Sequence, residues 1–430
     1  MVGYHLEQAA RYRRELRHAD AALERHAALR LAEAGSKASM RSDAHGAANL
    51  LRRALALLPG DDPLRPRLLI ELIGTVAGRA APEEQFRLID ELEHSADPAS
   101  RMHGRIARLQ LNIMTDPVAV IPEAEAASEE ALRVFAGVGD DLGLAHAYFL
   151  VAWINWLQSR AVPAAAAYQR VLEHARKANA RSLLGQATIQ QAGPLFRGPF
   201  TPEEVEARLE QVRRDDSALA RTSVLMVEAS LAERAGRFDD ALALLDEAET
   251  LQRELGNELG LAITIQSHAD VYLQRGEPHE AAAVYREALA RLEALEMTSF
   301  RSTTLVQYAE ALYACGEPEE AERLATEGEE SGAAEDVVNF AWGRSLRARL
   351  AADRGDHERA EQLARDALEY AYATDFPSVH AAAHEALAHA LAAAGGRDRA
   401  RAELEQAHAL WTRYGYRVDS ERVEQLLVQL

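Results

Sequence analysis

The 430-residue chain is 48% hydrophobic but only 6% aromatic, and its 68 acidic and 48 basic residues leave a formal charge of −20. That apolar content is enough for a core and excludes a disordered chain, while basic residues scattered through an acidic sequence argue against a nucleic-acid partner. One cysteine, Cys315, excludes an intramolecular disulfide and a multi-cysteine zinc site, and no run reaches the ~18 apolar residues of a membrane span.

The charged stretch Met1–Asp20 lacks the apolar centre of a secretory signal, so a cytoplasmic protein is expected, with residues 1–30 as an N-terminal helical cap. Beyond it the chain is expected to be an array. Gly236, Gly276, Gly316, Gly355 and Gly395 recur every 39 or 40 residues. An alanine follows each by five residues (Ala241, Ala281, Ala321, Ala360, Ala400), and another precedes each by seven (Ala229, Ala269, Ala309, Ala348, Ala388). Small positions locked at one period mark helix hairpins that bury their apolar faces only by stacking on neighbours.

Carried back toward the N-terminus, the second-helix small position falls at Ala47, near Glu84, and at Ala124 and Ala164. The joint Gly139-Asp140-Asp141-Leu142-Gly143-Leu144-Ala145 matches Gly256-Asn257-Glu258-Leu259-Gly260-Leu261-Ala262. After it comes the densest aromatic group, Tyr148, Phe149, Trp153 and Trp156, at positions expected on the inner side of a first helix. Two readings stand there: a hydrophobic anchor for a partner, since aromatics carry much interface energy, or core packing against the next hairpin.

Near Val205 the rhythm falters, because Gly193-Pro194 and Gly198-Pro199 interrupt the helix pattern. Proline inside a helix costs ~3 kcal/mol, so a shortened helix and a bend near 193–202 are expected, dividing a first array, 31–192, from a second, 193–430. From Thr222 onward the units are regular. Glycine ends each first helix, and Asp239-Asp240, Pro278 or Pro318 opens the second, where acidic residues suit the helix dipole and proline loses no donor. The fold class implied is all-α, a right-handed superhelix of about ten long hairpins.

Candidate contacts beyond the aromatics are the polar residues at inner positions, Gln266, Asp270, Gln274, Glu310 and Arg349. His380, His384 and Glu385 share one helical face, but His389 lies five residues past His384, so the His-Glu-x-x-His spacing is not met and packing roles are expected. The run Glu317–Glu330 reads as a solvated helix face, and Cys315 as a small buried residue. There is no Gly-x-Ser-x-Gly elbow, phosphate-binding loop or Rossmann glycine signature, so no catalysis, cofactor or metal is expected.

The units resemble the tetratricopeptide repeat, whose small and terminal proline positions are matched by Ala47, Leu51, Ala54 and Pro59, although the period here is longer than the family's 34 residues. A narrower resemblance rests on Gly3-Tyr4-His5-Leu6-Glu7-Gln8-Ala9, on Asn49–Pro59 and on the joint at 139–145. It is to the C-terminal repeat region of bacterial class III adenylate/guanylate cyclase-like signal-transduction ATPases. That resemblance implies a regulatory tail whose partners are proteins or peptides in the concave groove, or the cyclase and ATPase domains of a larger assembly. A non-catalytic interaction module is therefore expected; the alternative is a sensor whose superhelix closes on a peptide or small ligand.

Overall fold

The computed structural model describes residues 2–39, 43–76, 81–113, 117–214, 217–295, 297–332 and 336–430. Helices from Val2–Glu15 to Arg417–Gln429 succeed one another, and no strand occurs among the described residues. The architecture is an all-α solenoid of helix hairpins. No described helix is long and apolar enough to cross a membrane.

The glycine and alanine period has a direct structural cause. Gly236, Gly276, Gly316, Gly355 and Gly395 all have φ between +73° and +85°. At each, the amide of the next residue bonds back to a carbonyl of the helix just ended, as from Arg237 to Ala232 (2.8 Å) and from Glu277 to Tyr272 (2.9 Å). This closure satisfies carbonyls that the helix end leaves without partners. Pro278 and Pro318 are the first residues of helices Pro278–Ala294 and Pro318–Ser331. The ten alanines that flank the glycines are at most 2% exposed, because they sit where neighbouring helices approach most closely.

The chain divides into two compact units, Met1–Ile154 with Ala166–Ala187, and Asn155–Ala165 with Thr188–Leu430. In the first, Leu31, Leu51, Leu68, Leu72 and Leu92 build one core from the helices Ala21–Ser39, Ala44–Leu57, Arg65–Val76 and Pro82–Glu93. Arg53 pairs with Glu7 and ties the opening helix Val2–Glu15 to that body. A second core gathers Ile106, Leu109, Phe135 and Leu150. Ala47 and Ala124 are fully buried, as the period requires.

The second unit begins irregularly. Helix Ala192–Arg197 is only six residues long: Pro194 sits in its first turn, and the backbone becomes extended at Gly198, the residue before Pro199. Thr201 then opens helix Pro202–Val212 with reciprocal bonds to Glu204. Regular first helices come next at Ala218–Arg234, Glu258–Arg275, Thr298–Ala314, Val337–Asp353 and Pro377–Ala393.

The last helix of this unit returns to its start. A Cβ at Gly415 would lie 2.7 Å from Pro202, and one at Gly236 would lie 3.0 Å from Val418. The Arg234 guanidinium stands 4.7 Å from the Tyr416 ring centroid. A second closure joins Asp375 to the amides of Ala161 (2.7 Å) and Val162 (2.8 Å), 214 and 213 residues away in sequence. The array in this unit therefore encloses its own concave face.

Candidate functional site

That enclosure leaves a cavity of about 920 Å³ within the second unit. Its wall is made by the inner sides of all five regular first helices, and the final helix, with Asp419, Arg422 and Leu426, covers the remaining side. Register explains the lining. Counted from the buried alanine of each first helix, the next residue gives Ser230, Asp270, Glu310, Arg349 and His389; the fourth gives Glu233, Leu273, Tyr313 and Ala392. Three residues before the alanine lie Val306, Ser345 and Glu385. These offsets share one face of a helix, so a single period sets both the packing surface and the cavity wall.

Most charges on the wall are matched. Arg349 pairs with Glu310 and lies 4.9 Å from the Tyr313 ring. Tyr313 donates its hydroxyl to Asp353 (2.6 Å), and burial with this bond pushes the phenol up to about 12. Arg422 pairs with Glu385 and with Asp419 (2.9 Å), while Trp411 Nε1 donates to Glu385 Oε1 (2.7 Å). Asp270 accepts on one oxygen from the Tyr285 hydroxyl and from Gln307 Nε2, the latter at 3.1 Å. Burial raises the Asp270 carboxyl above its ordinary range despite Arg197 and that hydroxyl.

Glu233 differs: among the described residues its carboxyl makes no hydrogen bond and no ion pair. Burial first, and then the charge of Asp270, holds it up at about 8, against the opposing pull of Arg197 and Arg234. Among the described residues the Arg197 guanidinium makes no hydrogen bond; it lies against the rings of Phe196 (4.9 Å) and Trp342 (5.3 Å), and its charge acts on Glu233 and Asp270. Arg234 is 4% exposed; it donates through Nη2 to the Phe196 carbonyl, and its Nε and Nη1 are buried without acceptors. The Ser345 hydroxyl is likewise buried and without a partner.

Of the residues expected to contact a partner, Asp270, Gln274, Glu310 and Arg349 line the cavity together. Gln266 lies behind the wall, donating to Gln307 (2.7 Å) and accepting from Thr304 (2.7 Å), and so positions the amide that holds Asp270. Tyr148, Phe149 and Trp153 belong to the first unit. Phe149 is buried against Tyr168 with ring centroids 5.9 Å apart, Trp153 packs beside it, and Tyr148 stacks on His174. Trp156 belongs to the second unit, where it packs on Phe376 and Gly193 away from the cavity.

The remaining candidates have structural partners. His384 is held between Glu403 (2.6 Å) and the Tyr372 hydroxyl (2.9 Å), and His380 bonds the Thr374 carbonyl (3.0 Å). Cys315 is half-buried, and burial raises its thiol. Glu233, Arg197, Arg234, Trp342, Ser345 and Trp411 were not singled out by the sequence. Glu233 and Ser345 could have been found by reading every inner position around the buried alanines, whereas Arg197 and Trp411 lie outside that period.

Residues 223–294 match the tetratricopeptide repeat family model. No curated protein matches the chain. Among solved structures, the chain is similar to the APC/C hetero-tetramer Cut9-Hcn1, with a TM-score of 0.53 at 15% identity, covering 90% of this chain and 67% of that one. NprR in complex with its cognate peptide NprX has a TM-score of 0.48 at 16% identity, covering 64% and 81%. A signal transduction ATPase with a tetratricopeptide repeat sensor from Pyrococcus horikoshii has 0.39 at 14%, covering 82% and 56%. The likeness is one of fold.

Proposed function

We propose that the second unit is a non-catalytic, peptide-binding regulatory module: a short extended segment of a partner enters the cavity and its binding fixes the closed form of the array. The observation that carries this is the cavity of about 920 Å³, where aromatic and polar groups from five successive hairpins converge on one concave space. Asp270, Gln274, Glu310 and Arg349 are proposed as wall contacts to the segment, with Trp342 and Trp411 supplying apolar area. The wider setting, a cytoplasmic bacterial signalling assembly in which this chain serves cyclase-like or ATPase domains, is part of the same proposal and rests on the sequence resemblance.

Hydrogen exchange on the full chain, with and without a pool of capped hexapeptides, tests the reading. Binding should slow exchange in the inner helices Glu258–Arg275, Thr298–Ala314 and Val337–Asp353, and Arg349→Ala should reduce that protection. Protection confined to the first unit, or none at all, refutes it.

A further inference from the structure

The wall of the cavity is chemically uneven, and that unevenness bears on which peptides it would take, given the peptide-binding role proposed above. Arg349 is taken up by Glu310, and Arg422 by Glu385 and Asp419. The carboxyls left over stand on successive first helices: Glu233, with no partner, and Asp270, with one oxygen unused. The cations left over are less available. Arg234 is covered by Tyr416 and bonded to a carbonyl, so its free N–H groups face no open space. Arg197 is held on two aromatic rings.

An anionic ligand group placed here would meet the Glu233 and Asp270 carboxyls, with Arg197 and Arg234 already engaged by rings and a carbonyl; a cationic group would supply the donors that Glu233 lacks. We propose that the cavity is specific for a peptide carrying a lysine or arginine side chain, whose cationic head sits against the carboxyls of Glu233 and Asp270. The (CH₂) stem of such a side chain matches the apolar lining from Leu273 and Trp342.

The contact has a pH signature. The charged groups that face Glu233 are Asp270, Asp419, Arg197 and Arg234, and with burial they hold its carboxyl up at about 8. A bound cation favours the ionised form, so binding near neutral pH expels a proton and tightens as pH rises toward 8.

The test is a positional library of acetyl- and amide-capped hexapeptides retained on the immobilised full chain. Lysine or arginine should be enriched about five-fold or more at one position, and replacing it by glutamine should weaken binding about ten-fold, or ~1.4 kcal/mol. Glu233→Gln should reduce that difference to about two-fold and remove the pH dependence, while preferences at the other positions persist and show that the cavity is intact. Retained peptides with no basic preference, with an acidic preference, or with a basic preference that survives Glu233→Gln overturn the cation subsite and leave peptide binding standing. Retention of no peptide overturns both.

Discussion

Replacing Glu233 by glutamine should make the unliganded protein more stable near neutral pH. In the unfolded chain this carboxyl ionises near 4.5, whereas in the fold it is held up at about 8. At pH 7 it is therefore protonated when folded and ionised when unfolded, so unfolding releases a proton and stability falls as pH rises through this window. The span from 4.5 to pH 7, at ~1.4 kcal/mol per pH unit, sets a ceiling of about 3.4 kcal/mol. Glu233 keeps some contact with solvent, which screens the effect and brings the expected gain to about 2 kcal/mol. Glutamine has the shape of the protonated acid and never ionises, so it removes this penalty. For a body of this size the midpoint should rise by about 4–8 °C at pH 7. At pH 4, where both states of the wild-type residue are protonated, the two proteins should melt together. Scanning calorimetry at both pH values decides it: no gain at pH 7, or an equal gain at pH 4, refutes the reasoning.

Asp375→Ala should cost about 1–2 kcal/mol in urea unfolding, because it removes both acceptors from the Ala161 and Val162 amides; a loss near zero would mean solvent caps them as well. Gly276→Ala should cost ~1 kcal/mol for its φ of +85° alone, whereas Gly415→Ala, at +79° with its Cβ 2.7 Å from Pro202, should cost about 1 kcal/mol more. Equal melting temperatures for the two variants would show that the close approach at Gly415 contributes nothing. Arg349→Ala should destabilise by about 1–2 kcal/mol, and a double-mutant cycle with Glu310→Ala should recover ~1 kcal/mol of that as coupling; additive losses would dissolve the pair.

The fold was legible because its determinants are local and repeated. Gly276 must adopt a left-handed conformation and Ala269 must admit a close neighbour, and both requirements recur at one spacing, so the architecture could be read without contacts distant in sequence. The cavity was legible only in part. Asp270, Glu310 and Arg349 occupy one position of the repeat and were therefore visible as a row, but Glu233 sits three residues further along the same face and Arg197 lies in an irregular segment. What the period could not show was closure. The approach of Gly415 to Pro202 and of Asp375 to Ala161 links residues some two hundred apart, and contacts of that kind turn a row of polar residues into the wall of a cavity. The aromatic group at 148–156 illustrates the reverse limit. Its spacing is that of an inner face, yet Phe149 is spent on Tyr168 and Trp156 on Phe376, partners supplied by other helices.

Separation of the two roles explains how such a site can exist in a repeat array. Stability resides in the buried alanines and the helix-end glycines, whereas the wall position one residue beyond each alanine ranges from serine to aspartate, glutamate, arginine and histidine. Charge can then be placed on the wall without altering the hairpins. It has a local energetic cost, which ion pairs offset at Arg349 and Arg422, whereas at Glu233 the charges of Arg197 and Arg234 offset it only in part. A carboxyl without a hydrogen-bond partner on this wall favours states of the array that hydrate it further, and a ligand cation favours the state in which the wall surrounds it. If Glu233 is the cation site, one substitution must stabilise the free protein and weaken its grip on basic peptides. A variant that gained stability while keeping full discrimination for lysine or arginine would separate the two effects and place the cation elsewhere on the wall.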